Sequence, residues 1–330
     1  MADVAKLAGV SHQTVSRVIN GSAHVKPATK QRVLAAMGQL DYRPNPAARA
    51  LVTGRSRTLG VVSFDTTLYG PASTLFAIEQ AAHDAGYFLT VVSLLAIDRA
   101  SVLDALDRLR VQGVDGILVI TPHEGAAEAL VNLPTDVPVV AVEAGRPASV
   151  PLVAVDQLSG AASATQLLLD LGHRTVWHIA GPRDFLEAQQ RLEGWRETLE
   201  AAGADVPAVL VGDWSARSGY ELGQQLAQDP DVSAVFVAND QMALGLLRAL
   251  HEHGREIPRE VSVVGFDDIP EAQYFMPPLT TVRQNFGEVG RSSLRLLLEI
   301  MRGDGEAVQQ LAIAPELVVR RSTAPPPARR

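Results

Sequence analysis

The chain of 330 residues contains no cysteine. That absence excludes thiolate zinc sites, iron–sulfur clusters, cysteine nucleophiles and a disulfide-stapled secreted module. No apolar run approaches the roughly 18 residues of a membrane span, and the first residues carry no charged-then-apolar leader. The expected location is therefore cytoplasmic, with no membrane partner. Catalytic signatures are missing as well. There is no Walker-type phosphate loop, no Gly-x-Gly-x-x-Gly turn and no Gly-x-Ser-x-Gly elbow. Asp267 and Asp268 are neighbours at the end of a strand-like run, so their side chains take opposite faces and cannot flank one substrate. His173 and His178 stand five residues apart across a turn and a strand, a poor metal geometry that reads as structural. No catalytic residue, metal site or cofactor is expected.

What is present is a chain with 47% hydrophobic and 20% charged residues. At roughly 100–200 residues per domain that means two or three domains with ample core, and neither collagen nor disorder. The net charge of −8 conceals a split. Residues 1–58 hold nine Lys/Arg against two Asp/Glu, a balance of +7, and the remainder balances −15. A basic head on an acidic body points the head at a polyanion and the body at something else.

The head reads as short helices. Ala2–Gly9 ends on a glycine, Ser11 can cap a second helix, and Val15, Val18 and Ile19 share its inner face. Asn20-Gly21 stops it. Pro27 suits a first helical turn, and Val33, Leu34, Met37 and Leu40 form the next apolar stripe. Two helices around a tight Gly-Val-Ser turn, closed by a third, make a helix-turn-helix over residues 1–44. Residues 45–57 read as a linker carrying a marginal helix, Ala47–Val52.

From residue 58 apolar strand-like runs alternate with amphipathic helices. The strands expected are Leu59–Phe64, Phe88–Leu95, Gly116–Ile120, Val137–Val142, Val176–Ala180, Ala208–Val211, Ala234–Ala238 and Val261–Phe266. This rhythm predicts an α/β fold of right-handed βαβ units and parallel sheets. More than 260 residues is long for one open sheet, so two doubly wound subdomains are expected, with a ligand outside the carboxyl ends of the strands. Polar clusters stand at those ends: Asp65-Thr66-Thr67, Glu143, Asn239-Asp240 and Asp267-Asp268. The subdomains are placed at about 58–154 with 285–313, and 155–284 with 314–323. The Pro-rich residues 324–330 read as a disordered tail.

Several runs carry a family resemblance. Asp3-Val-Ala-Lys-Leu-Ala-Gly-Val-Ser11, Gln13-Thr-Val-Ser-Arg-Val18, Asp41-Tyr-Arg-Pro-Asn45 and Ala50-Leu51 resemble the head of the lac repressor family of bacterial transcription regulators. So do Ala180-Gly-Pro182, Gly212-Asp-Trp-Ser-Ala216, Val237-Ala-Asn-Asp-Gln-Met-Ala-Leu-Gly245, Val263-Val-Gly-Phe-Asp-Asp268 and Pro277-Pro-Leu-Thr-Thr281 in the body. The resemblance covers residues 2–322 and leans to the lac-type branch. It implies a sugar-responsive repressor that binds a palindromic double-stranded DNA operator as a homodimer, with a periplasmic-binding-protein-like body that takes a small-molecule sugar.

For the head, the resemblance implies DNA contacts from Ser11, His12, Gln13, Thr14, Ser16, Arg17, Asn20, Thr29, Asn45 and Leu51. Gln13 and Arg17 have the bidentate groups that read base edges, while Ser16, Asn20 and Thr29 suit phosphates. Leu51, on a hinge helix, would wedge between central base pairs. His12 stands where the lac-type branch carries tyrosine. Met1 stands at the start of the first helix, where the family has several further residues; either the start lies upstream or the head has fewer phosphate anchors.

For the body, Arg191, Asn239 and Asp267 would hold ring hydroxyls and Trp214 would stack on the sugar. Gln284 and Phe286, with Leu68 and Pro71 opposite, would complete the pocket. Taken singly, each has an ordinary reading as a surface pair, a strand-end cap or core; taken together they read as a sugar site. Glu143 and Glu187 replace an aspartate and a serine, at the end that distinguishes sugars. Three acids against one arginine disfavour a sugar phosphate. A β-galactoside is the first expectation for the inducer. A corepressor-dependent regulator and a sugar-binding transport protein are the alternatives. The proline-rich end has no leucine heptads, so a dimer rather than a tetramer is expected.

Overall fold

The computed structural model describes residues 1–19, 24–43, 54–94, 98–120, 122–130, 136–143, 150–304 and 309–327; of residues 126–128 only the backbone is described. The chain divides into two compact units, Met1–Arg57 and Thr58–Arg330. Asn20, Asn45, Leu51 and the expected hinge helix lie outside the described residues.

The first unit is three helices: α1 (Ala2–Ala8), α2 (His12–Ile19) and α3 (Pro27–Gln39). Gly9 ends α1 in the left-handed region, at φ 63°, where only glycine is unstrained. Ser11 caps α2, its Oγ accepting from Thr14 N at 3.1 Å. Pro27 opens α3. Val4, Val15, Val18, Val33 and Ala36 close a small core, with Met37 and Ile19 packed against it. Leu34 and Leu40, expected in the α3 stripe, are instead exposed. The inward face of α3 runs through Val33, Ala36 and Met37, and Leu34 lies about 100° round the helix from Val33.

The second unit contains two six-stranded sheets. The first orders as β2 (Phe88–Leu94), β1 (Thr58–Phe64), β3 (Gly116–Ile120), β4 (Val139–Val142), β5 (Leu152–Val155) and β11 (Gln310–Ile313), all parallel. The second orders as β7 (Leu210–Val211), β6 (Trp177–Ala180), β8 (Ala234–Val237), β9 (Ser262–Asp267), β10 (Thr280–Arg283) and β12 (Glu316–Val318), with only β12 antiparallel. The first lobe carries α4 (Tyr69–Asp84), α5 (Arg99–Gln112), α6 (Glu124–Ala129) and α11 (Phe286–Arg302); the second carries α7 (Gln157–Asp170), α8 (Leu186–Ala201), α9 (Ala216–Gln228) and α10 (Asp240–Glu252). Central strands β3, β4, β8 and β9 are buried throughout, which is why they read as continuous apolar runs.

All eight expected strands are present. Four more, β5, β10, β11 and β12, carry weaker signals: they are short, and β11, at the sheet edge, exposes alternate residues. The chain passes between the sheets after β5, after β10 and after β11. The expected disordered tail is corrected at its start. Ala324 N donates to Ser262 Oγ at 3.0 Å, and its carbonyl accepts from the same hydroxyl and lies 3.0 Å from His173 Nε2. A buried histidine and serine thus dock the segment, which the proline count does not reveal.

Candidate functional site

The strand ends create the site. Asp65, Glu143, Trp214, Asp267 and Asp268 are non-glycine residues with positive φ, and they follow or end β1, β4, β7 and β9. Such backbone is costly for L-residues and collects where a chain must turn sharply to present a side chain. Between the lobes lies a cavity of about 280 Å³. Of the residues named for the sugar site, Leu68, Pro71, Glu187, Arg191, Trp214, Asn239, Asp267 and Gln284 line it.

Arg191 is the centre of its polar end. Its side chain, buried on α8, lies over the Phe266 ring, with Cζ 3.9 Å from the centroid. Nε donates to Gln157 Oε1 at 2.9 Å and Nη1 to the Ala238 carbonyl at 2.5 Å. Nη2 lies 3.7 Å from both Glu187 and Asp267. Asp267 accepts from Gln284 Nε2 at 2.6 Å, and Gln284 accepts from Gln157 at 2.8 Å. This ring of partners fixes the guanidinium and the carboxylate before any ligand arrives.

One guanidinium faces three acids. Burial, then the neighbouring Glu187 charge, pushes Glu143 up to about 8. Burial pushes Glu187 up to about 7, against the pull of Arg191, and Asp267 to about 6. Asp240 is also buried and raised, but its oxygens accept from Thr281 and Ile269 N, so it braces the loop after β9.

Three expected site residues are placed differently. Glu143 does not line the cavity: it is buried, accepts from Val155 N at 3.3 Å, and its Oε1 has no partner. Phe286 opens α11 and stands edge-on to Tyr69, 5.8 Å between centroids, facing a separate groove. Tyr69 takes the wall position instead. Asn239 lines the cavity, but its Oδ1 caps α10 by accepting from Met242 N and its Nδ2 donates to the Trp214 carbonyl. Its amide holds Trp214 in place and has little left for a ligand. Trp214 packs in the lobe core, against Gly181, where a Cβ would overlap its ring; its Nε1 is without a partner.

The sequence reading missed Tyr69, Pro122, Phe185, Asp213, Ser215 and Gln241 as lining residues. Asp213 and Ser215 flank Trp214 in the Gly212–Ala216 run already singled out, a signal that could have found them. Phe185 had no such signal. His173 is bound by Ser233, Ser262 and Ala324, and His178 is stacked between Trp195 and Phe236 with its pKa driven down by burial to about 4. Among the described residues no group of acids and histidines could hold a metal, and no helix is long and apolar enough to cross a membrane.

In the first unit, Ser11, His12, Gln13 and Arg17 are exposed on α2, opposite buried Val15 and Val18; Thr14, Ser16 and Thr29 are half-buried. That face offers hydrogen-bonding groups at the helix start with Arg17 one turn on, and Lys26, Lys30 and Arg32 stand exposed on or beside α3.

The profile of "Bacterial regulatory proteins, lacI family" matches residues 1–45, and that of a "Periplasmic binding protein-like domain" matches residues 165–323. The transcriptional regulator CelR of Thermobifida fusca is 38% identical over 97% of this chain and 96% of its own. A crystal structure of the lac repressor dimer bound to operator and the anti-inducer ONPF is 33% identical, covers 98% of both chains and superposes with a TM-score of 0.88. A CelR–cellobiose complex is 34% identical, covers 97% of this chain and 98% of that one, with a TM-score of 0.73. These relatives are transcription regulators and not enzymes, in keeping with the missing catalytic signatures. With a helix-turn-helix head, a two-lobed body and near-complete coverage at this identity, the chain belongs to the lacI family of bacterial regulatory proteins.

Proposed function

We propose that this protein is a repressor that binds a palindromic operator as a homodimer and is released by a neutral saccharide. The observation that carries the reading is the preassembled Arg191–Asp267–Gln284 set beside the flat face of Trp214. Fixed charged groups suit paired ring hydroxyls, and an indole face suits the C–H side of a pyranose. A phosphorylated sugar is disfavoured, because Arg191 is already engaged by Gln157, the Ala238 carbonyl, Glu187 and Asp267, and the described residues lining the cavity include no second cation. The CelR complex supports the class, since cellobiose is a neutral disaccharide.

Agreement of Arg191, Trp214, Asn239 and Asp267 with the lac-type pattern favours a β-galactoside. Glu187 and Glu143 depart from that pattern, and the 38% identity to CelR favours a β-glucoside such as cellobiose as the second reading. Gln13 and Arg17 are the base readers, and Leu51 on the hinge is the minor-groove wedge. The sugar releases DNA only if it binds the DNA-incompetent arrangement better. The test is operator binding by the full-length protein, on a duplex selected from a random library, with and without lactose, cellobiose, their monosaccharides and glucose 6-phosphate. Weakened binding with a neutral saccharide is expected. Tighter binding with sugar would make the ligand a corepressor, and a response to the phosphate alone would overturn the ligand class.

A further inference from the structure

Phe185 lines the cavity, and Trp214 touches both it and Arg191, whose Cζ lies 5.7 Å from the indole centroid. Phe185 precedes α8 in extended backbone, six residues before Arg191. At 1.5 Å per residue the two side chains start about 9 Å apart along the helix axis, a span longer than one pyranose ring. The Phe185 ring meets Trp214 edge-on, 5.6 Å between centroids at 81°. Both rings line the cavity, so together they make an apolar corner next to the polar end.

The corner is held from the opposite lobe. His123, in the segment after β3, stands edge-on to Phe185 at 5.6 Å and 72°. Its Nε2 lies 2.9 Å from Asp184 Oδ2, and His123 and Phe185 form an isolated antiparallel bridge. Leu186 N donates to the Pro122 carbonyl at 2.9 Å, and Gln189 Nε2 donates to Glu124 Oε1 at 2.7 Å. Two loops from different sheets are thereby clasped, and Phe185 is the ring the clasp delivers to the cavity.

We propose that Phe185 determines ligand size: held edge-on to Trp214, it receives the second ring of a two-ring saccharide whose first ring lies on Trp214, anchored by Arg191 and Asp267, and His123 positions it there. The inference rests on the saccharide reading above. Aromatic faces and edges attract the C–H surface of a sugar without demanding a particular hydroxyl pattern, so the corner selects for a second ring rather than for its identity.

Calorimetry on the full-length protein with cellobiose, lactose, glucose and galactose tests this. Phe185→Ala should weaken binding of the preferred disaccharide about tenfold and that of its monosaccharide by less than about threefold, so the selectivity ratio changes. Phe185→Tyr should keep the ratio. Phe185→Leu, which preserves apolar volume without a ring, should follow Phe185→Ala and covers the case in which the alanine variant fails to fold. His123→Ala should move the ratio the same way by a smaller factor, which a merely structural role would not do. Equal losses for one-ring and two-ring ligands, or a wild-type protein that binds monosaccharides alone, would overturn the inference and leave the saccharide reading intact. A wild-type protein that binds none of the four removes both.

Discussion

The two lobes share one sheet plan and send different chemistry to the cleft. The second lobe contributes Glu187, Arg191, Asp213, Trp214, Ser215, Asn239, Gln241, Asp267 and Gln284, nearly every group able to hold a hydroxyl. The first contributes Thr67, Leu68, Tyr69, Gly70, Pro71 and Pro122, a mostly apolar wall. On the proposed reading the anchor is therefore in one lobe and the cover in the other. A ligand shifts a two-state equilibrium only through contacts that differ between the states. Affinity should then follow the second lobe, and coupling to the rest of the molecule should follow the first.

The largest effect is expected at the anchor. Arg191→Ala leaves buried acids uncompensated and should destabilise the body by about 3–5 kcal/mol, with saccharide binding abolished. Asp267→Asn keeps the shape and should abolish the saccharide response while leaving sugar-free operator binding nearly unchanged. Thermal melts, calorimetry and operator titration read these outcomes. A saccharide response that persists in Asp267→Asn would remove the second lobe's claim to the anchor.

Next in size is a pH effect confined to the same lobe junction. Glu143, Glu187 and Asp267 have folded-state pKa values raised to about 8, 7 and 6 by burial. These three acids therefore bind more protons in the folded body than in the unfolded chain above about pH 4, and their contribution to stability falls as pH rises until about pH 8. Below about pH 6.5 the fall is opposed by buried His178, whose pKa is driven down to about 4. The fall should be read as a lower melting temperature at pH 8 than at pH 6.5. Glu143→Gln should flatten the slope and raise the melting temperature at pH 8. An unchanged slope would show that these acids are not protonated in the fold.

The head should stand outside this division. Arg17→Ala should cost about 1–3 kcal/mol of operator affinity, at one base position, with saccharide affinity unchanged. Equal losses on operator and random duplex would make Arg17 a phosphate contact. Smallest is the cover: Leu68→Ala should weaken saccharide binding by about 1 kcal/mol, from lost apolar contact, and reduce the sugar's effect on operator binding more than its affinity. A loss confined to affinity would show that the first lobe does not carry the coupling.

Much of this site is legible in the amino-acid sequence. Gly9, Ser11 and Pro27 announce helix ends because their conformational demands are local. Runs such as Gly116–Ile120 announce buried strands because both faces of a covered parallel sheet are dry. Arg191, Trp214 and Asp267 stand out as polar or aromatic groups at strand ends or in family runs. Phe286 and Glu143 escape such reading for one reason. Their neighbourhoods depend on which lobe a strand end faces, and on Tyr69 or Glu187 arriving from elsewhere in the chain. Leu34 defeats the helical stripe because a three-helix core is too small to bury every apolar residue at helical spacing.

The amino-acid sequence by itself determined the basic head, the alternating α/β body, the family and the residue types that make an anchor. The first two follow from charge, periodicity and local backbone preference, which act over a few residues; the family and the residue types of the proposed site follow from the resemblance of whole runs such as Val237–Gly245. Only the tertiary structure decided that Asn239 ties its amide to the Trp214 carbonyl, that Asp267 meets Arg191, and that His123 packs against Phe185 at the cavity. Each depends on groups separated by tens of residues meeting at hydrogen-bond or ring-contact distance. That meeting is fixed by how two sheets close on one another, and no local pattern encodes it.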